Sequence, residues 1–213
     1  MLVIFDWDGT LMDSTDKIAQ CLLAAINQLN LAERSVEQAK SIIGLGLPEA
    51  CLSLYPDIGA PMMAKLQQAY SEHFIRADKI PCSFYPRVEE VMAELKGQGH
   101  QLAVATGKSR RGLNRVMGSL ALQDFFDGSR CADETASKPD PLMINELLVE
   151  LGYGANQAVM VGDTSFDLEM AANAGVASIG VSYGAHPVER LLAHNPKLMV
   201  DHFEHILDWS GFA

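Results

Sequence analysis

The sequence predicts an α/β fold: a parallel sheet flanked by helices, interrupted after its first strand by an all-helical segment. Three observations lead there. Met1-Leu2-Val3-Ile4-Phe5 is an apolar run of the kind found in strands covered on both faces. From about residue 101 onward, short apolar runs alternate with helical patterns, as repeating strand–helix units do. Residues 15–80 hold no convincing strand and place their apolar residues at helical spacing instead.

Taken in order, strands are expected at 1–5, 101–105, 158–162 and 176–181, with less pronounced ones at 128–131 and 198–200. Helices are expected near 109–118, 141–151, 166–174 and 187–193. Right-handed crossovers then bring the carboxyl ends of the strands to one rim. In the inserted segment, Ile18, Cys21, Leu22, Ala25, Ile26 and Leu29 recur at helical spacing, with Ser14 or Thr15 as the cap. Ser35 would cap a second helix, Gly44-Leu45-Gly46-Leu47-Pro48 breaks the pattern, and a further helix runs from Pro61 to about Ala77. The boundaries follow as 1–14 and 81–213 for the α/β core and 15–80 for the helical insertion. The chain would cross between them near 14–16 and 79–83, with Pro81 and Pro86 at the junction.

Composition narrows the function. The 213 residues suffice for one core and one small extra domain. A formal net charge of −11 argues against a nucleic-acid partner, whose binding needs clustered Lys and Arg. No apolar run approaches the roughly 18 residues of a membrane span, and no signal peptide is read at the start, so a cytoplasmic location is expected. Cys21, Cys51, Cys82 and Cys131 have no Cys-x-x-Cys spacing and read as reduced thiols. His202 and His205 could share a face of a short C-terminal helix, at the surface.

The chemistry concentrates where the first strand ends, at Asp6-Trp7-Asp8-Gly9-Thr10-Leu11-Met12-Asp13-Ser14. Two carboxylates at a buried strand end need a partner. A hard cation prefers such oxygen ligands, and this rim is where open α/β sheets bind ligands. Gly9 permits the tight turn that follows.

Asp6-x-Asp8-Gly9-Thr10-Leu11-x-Asp13-Ser14 resembles the first motif of the haloacid-dehalogenase-like (HAD) superfamily. The order of the family's later motifs is also present, in Thr106 after Gln101-Leu102-Ala103-Val104-Ala105, Lys138 in Lys138-Pro139-Asp140-Pro141, and Val159-Met160-Val161-Gly162-Asp163-Thr164-Ser165-Phe166-Asp167. The resemblance covers essentially the whole chain. It implies a Rossmann-like core with an inserted helical cap, and a Mg2+-dependent phosphatase of the phosphoglycolate phosphatase type acting on a small phosphorylated metabolite.

By that resemblance Asp6 is the nucleophile and Asp8 the general acid and base. The carboxylates of Asp6 and Asp163 and the main-chain carbonyl of Asp8 hold Mg2+, with Asp167 in its outer shell. Thr106, Gly107, Lys138 and the main-chain amides of Trp7 and Asp8 hold the phosphate. Many relatives carry Asn where this chain has Gly107. Asp8 is expected to be protonated when substrate binds, favoured by neighbouring carboxylates and by the phosphate. The Trp7 side chain reads as packing. Lys108, Arg110 and Arg111 read as a solvated helix start. In the cap, Gly44, Leu45 and Gly46 would contribute to specificity, and Lys65 and Arg76 are further candidate contacts. A phosphomutase of the β-phosphoglucomutase type is the nearest alternative. A dehalogenase and a phosphonatase are disfavoured by the presence of Asp8, and a non-catalytic phosphate-binding module would have lost a site residue. A monomer or a small homo-oligomer is compatible with the sequence.

Overall fold

A computed structural model describes residues 1–212. Six parallel strands form one sheet: β1 (Leu2–Phe5), β2 (Gln101–Thr106), β3 (Gly128–Cys131), β4 (Ala158–Gly162), β5 (Ala177–Val181) and β6 (Leu198–Val200), in the order β3-β2-β1-β4-β5-β6. The order reverses direction at β1, which makes this central strand the switch point where ligands bind in such sheets. Register is set pairwise, with Val3 beside Leu102 on one side and Val159 on the other.

The strands read as unbroken apolar runs because both faces are covered. Side chains alternate along each strand. Val3, Phe5, Leu102, Val104, Val159 and Val161 enter one apolar cluster. It is closed by α5 (Val88–Gly97), α6 (Arg110–Ser119) and a 3-10 turn at Phe203–Asp208. Leu2, Ile4, Ala103, Ala105, Ala158 and Met160 enter the other. Its lid is α7 (Leu142–Leu151) and α8 (Ser165–Asn173). A short α9 spans Val188–Leu192. The edge strands β3 and β6 are only partly buried, which is why their patterns are fainter in the sequence.

Between β1 and β2 lie α1 (Thr15–Gln28), α2 (Val36–Lys40), α3 (Leu47–Leu54) and α4 (Ala60–Ala77). They pack around their own apolar cluster, built on Leu22, Ile26, Cys51 and Leu66. Two strips of chain join this layer to the sheet, and they run side by side: Asp13 N donates to Ser83 O, and Tyr85 N to Leu11 O. The cysteines are free thiols. No helix among the described residues is long and apolar enough to cross a membrane.

Several local expectations are corrected. Ser14 stands at the N-cap of α1 but makes no capping bond; its hydroxyl donates to Asp8 Oδ1 at 2.7 Å instead. Ser35 caps α2 through a reciprocal box with Gln38. Leu47-Pro48 does not only end a pattern; it begins α3, since Pro is tolerated in a first turn. Helix α5 was not anticipated. Arg87 at its N-cap has a left-handed φ of 68° and no side-chain capping bond, so the usual start signal is missing, and the nearby prolines masked a helical spacing of Val88, Val91, Met92 and Leu95.

The central strand sets the stability of the core. Ile4→Ala, at a fully buried site, is expected to destabilise by about 2–5 kcal/mol. Val149→Ala, at a site 84% exposed, should stay within about 0.5 kcal/mol of wild type. Urea unfolding of both variants measures the contrast, and equal midpoints would contradict this packing.

Candidate active site

The ends of β1, β2 and β4 stand side by side, and the chain delivers one polar group past each. Asp6 follows β1, and its amide is fixed by a bond to Val161 O. Thr106 ends β2, and Asp163 follows β4. Asp167 arrives from the first turn of α8. There Thr164 and Asp167 cap each other: Thr164 N and Oγ1 donate to Asp167 Oδ2 at 3.0 and 2.7 Å, and Thr164 Oγ1 accepts from Asp167 N.

The result is three buried carboxylates, those of Asp6, Asp163 and Asp167, with oxygens within 4.8 Å of one another. One cation is built in against them. Lys138 Nζ lies 2.7 Å from Asp6 Oδ1 and 2.6 Å from Asp167 Oδ1, with no solvent exposure of its side chain. Burial opposes the charge on Lys138, but Asp167 and Asp6 outweigh it and hold the ammonium well above its ordinary pKa. Three carboxylates against one ammonium leave an excess of negative charge. Burial, followed by the repulsion of Asp167, pushes Asp163 up to about 7. Burial also pushes Asp6 well above the usual carboxylate range, against the pull of Lys138.

The oxygens of Asp163 and Asp167 are hydrogen-bonded: Thr10 Oγ1 and Ala185 N donate to Asp163, Lys138 and Thr164 to Asp167. Asp6 is held differently: its protein partner is the Lys138 ammonium, 2.7 Å from Oδ1 as an ion pair, and no other protein group among the described residues donates to its oxygens. Buried oxygens so sparsely partnered inside an acidic cluster suit a hard divalent cation. Access to this cluster depends on Gly9. It has φ +86°, and a Cβ there would lie 2.2 Å from Asp163 Oδ2. No side chain fits, and Thr10 can close in behind it.

Asp8 is in a different setting from the one expected. Its carboxylate points away from the other three and accepts from Ser14 Oγ at 2.7 Å and Lys108 Nζ at 2.9 Å, with its other oxygen 2.7 Å from the same ammonium. Lys108 is therefore not part of a solvated helix start. Its side chain is 12% exposed and its ammonium also lies 5.1 Å from the Phe74 ring. Arg110 is committed to Glu134 and Ser129. Trp7 is buried against Phe84 and Phe126, as packing, while among the described residues its amide and that of Asp8 donate to no protein group. Thr106 Oγ1 accepts from Lys108 N, leaving its own proton to donate.

The loop after α2 closes over this rim. A Cβ on Gly107 would stand 2.5 Å from the carbonyls of both Gly44 and Leu45, so a bare backbone here is what lets the loop approach. Gly46 N donates to Ser137 Oγ. His186, not anticipated from the sequence, ties the loop down. Ser165 N donates to its Nδ1 and its Nε2 reaches Ser41 O at 3.0 Å, which places the proton on Nε2. Burial pushes this histidine down to about 4, so it stays neutral.

The structure thus brings Asp6, Asp163, Asp167 and Lys138 into one cluster. It sets Asp6, Asp8, Gly44, Leu45, Thr106 and Gly107 on the wall of one cavity. Gly46 is off that wall, bonded to Ser137, and so are Lys65 and Arg76, the latter paired with Glu72. Thr10, Ser14, Lys108 and His186 complete the site. Thr10 and Ser14 belong to the first motif, but Lys108 and His186 have no sequence signal of their own, because each matters only through the partner that the fold brings to it.

Comparison with known proteins gives the family. A family model described as haloacid dehalogenase-like hydrolase matches residues 3–181. A protein of Dickeya dadantii named "Probable phosphatase IndB" is 34% identical over 212 residues, covering 97% of this chain and 91% of that protein. A phosphoglycolate phosphatase of Vibrio parahaemolyticus is 27% identical, covering 97% and 94%. The crystal structure of a hydrolase from Pseudomonas syringae superposes with a TM-score of 0.89 over 98% of this chain and 96% of its own at 18% identity, a likeness of fold.

The buried carboxylates predict a stability that depends on pH when divalent cations are chelated. Asp163 titrates near 7 in the folded chain against 3.8 ordinarily. Between those values the folded state binds more protons than the unfolded, so this group's contribution to stability falls as pH rises through the window. Urea unfolding in chelator at about pH 4.5 and 7.5 should show a larger loss for wild type than for Asp163→Asn. Equal losses would contradict the assignment.

Proposed function

Because the chain belongs to the haloacid dehalogenase-like hydrolase family, we propose that it is a Mg2+-dependent phosphatase that hydrolyses the phosphate monoester of a small metabolite through an aspartyl-phosphate on Asp6. The observation that carries this reading is Asp6 itself: a buried carboxylate whose one protein partner among the described residues is the Lys138 ammonium, beside two further carboxylates. The phosphatase names of full-length relatives support it.

In this reading the carboxylates of Asp6 and Asp163 and the carbonyl of Asp8 hold the cation, with Asp167 behind them. Mg2+ would neutralise the excess negative charge and polarise the phosphoryl group. One Asp6 oxygen attacks phosphorus and the bond to the leaving oxygen breaks. Asp8 gives its proton to that oxygen, and the alcohol departs. Asp8 then takes a proton from water, which attacks the phosphoryl group and releases Asp6. Thr106, the Gly107 amide, Lys138 and the free amides of Trp7 and Asp8 steady the phosphoryl oxygens, as preorganised donors do. An incoming phosphate offers Lys108 a second anion and so loosens its hold on Asp8. Residues 1–14 and 81–213 act as the catalytic core and 15–80 as a cap whose loop at Gly44-Leu45 excludes water.

The test is phosphate release from a panel of phosphorylated sugars, phosphoglycolate, nucleoside monophosphates and an aryl phosphate, with Mg2+ and with chelator. Free phosphate released in Mg2+ separates this reading from a phosphomutase, which needs a bisphosphate activator and retains the phosphoryl group. Asp6→Asn should lower release at least about a thousandfold. Asp8→Asn should lower it about 10²–10⁴-fold yet keep the rise in Tm that Mg2+ produces, since only its main-chain carbonyl is assigned to the cation. Asp163→Asn should lose both. A variant of Asp6 with normal turnover would overturn the mechanism.

A further inference from the structure

The cavity above Asp6 has a chemical bias that the phosphate site does not require. Its volume is about 220 Å³, and it runs from Asp6, Asp8 and Thr106 up into the helical layer. The wall contributed by that layer includes Ile18 and Leu22 of α1, Ile43 and Leu45 of the loop after α2, and Tyr70 and Phe74 of α4. No Lys, Arg, His, Asp or Glu of residues 15–80 lies on it. Its polar side chains are two. The Ser71 hydroxyl already donates to Gln67 O within its own helix. Tyr70 presents a neutral phenol, whose pKa burial and then Asp8 push up, and its hydroxyl is the single polar handle left on this wall.

Cations reach this cavity only from the sheet side. Lys108 is paired with Asp8. Arg115 is paired with Asp78 and lies over Phe74. Arg111 stands exposed at the mouth. A leaving group rich in hydroxyls, or a short one ending in a carboxylate, would set its polar atoms against Ile18, Leu22 and Ile43 and leave them without partners, which is unfavourable. A hydrocarbon body on the alcohol would gain from the same wall.

We infer that the alcohol half of the substrate carries an apolar body, alkyl or aromatic, seated against Leu22, Ile43 and Phe74, and that this wall sets specificity. The inference deepens the phosphatase reading and rests on its placement of the phosphate at Asp6, Thr106 and Lys138. The cap wall selects for apolar volume, and the phosphate site anchors one end.

Calorimetric binding of non-hydrolysable phosphonates tests this without turnover. The protein is titrated in Mg2+ with ethylphosphonate, butylphosphonate and 3-phosphonopropionate, the last close in length to butyl but ending in a carboxylate. Affinity should rise about fourfold per methylene, hence roughly fifteenfold from ethyl to butyl, and 3-phosphonopropionate should bind more weakly than butylphosphonate. Ile43→Thr should shrink the butyl-to-ethyl ratio, with Ile75→Thr, at a half-exposed position on the same wall, as the companion variant should the first not fold. Equal affinities along the series, tighter binding of 3-phosphonopropionate, or no binding of any phosphonate would overturn the inference. Hydrolysis of the matching alkyl phosphates is followed in parallel. Release from none of them, with the phosphonate ladder intact, would overturn the phosphatase reading and leave the apolar pocket standing.

Discussion

The site depends on one electrostatic constraint: three carboxylates are buried within 4.8 Å of one another with a single fully buried ammonium to offset them. A protein interior does not hold an unpaired charge without a large desolvation penalty. Each surrounding feature can be read as a response. Thr10 and Ala185 donate to Asp163. The first turn of α8 turns its positive end and its capping pair toward Asp167. Gly9 clears the space in which they meet. Asp6 has Lys138 as its one protein partner among the described residues. The residue left least satisfied by the protein is the one that the chemistry would use, as expected where a fold accepts local instability for function.

The position of this cluster follows from topology. The sheet order turns at β1, so the loops after β1 and β2, and after β1 and β4, face one another across the same rim. The first of these loops is also where the helical layer is inserted, which ties the layer's placement to the strand that carries Asp6. Adjacent crossings at Asp13–Ser83 and Leu11–Tyr85 make the junction narrow. The far side of the layer is then fixed by backbone: Gly44 and Leu45 against Gly107, Gly46 on Ser137, Ser41 on His186. These contacts are polar, and a small apolar cluster of Ile18, Ile43 and Phe74 with Ala185 accompanies them.

Much of this was legible in the sequence. The strands were visible because both faces are buried, which leaves unbroken apolar runs such as Ala158–Gly162. Asp6 and Asp163 were visible because each follows an apolar strand, whereas Thr106, Lys138 and Asp167 were legible only through the ordered resemblance to the family's motifs. What stayed hidden depends on partners distant in the chain. Lys108 beside Arg110 and Arg111 looks like any charged helix start, and only the arrival of Asp8, a hundred residues earlier, makes it part of the site. His186 carries no motif; its role exists because the loops holding Ser165 and Ser41 converge on it. Helix α5 was hidden for a local reason, since a left-handed Arg87 replaces the polar cap that marks most helix starts.

Asp6 and Asp8 show how two like residues, two positions apart, come to differ. Asp6 faces anions and Lys138 on the sheet side. Asp8 lies across the turn, facing Ser14 and Lys108. The turn at Gly9 breaks the strand geometry that would otherwise point both side chains into one cluster. Had Asp8 joined the other three carboxylates, a fourth buried negative charge would have faced the same lone ammonium. By pointing outward it gains its own cation and a place beside the cavity, on the side where a departing alcohol would stand. A single glycine turn and one lysine from α6's leading edge thus give two neighbouring carboxylates different partners.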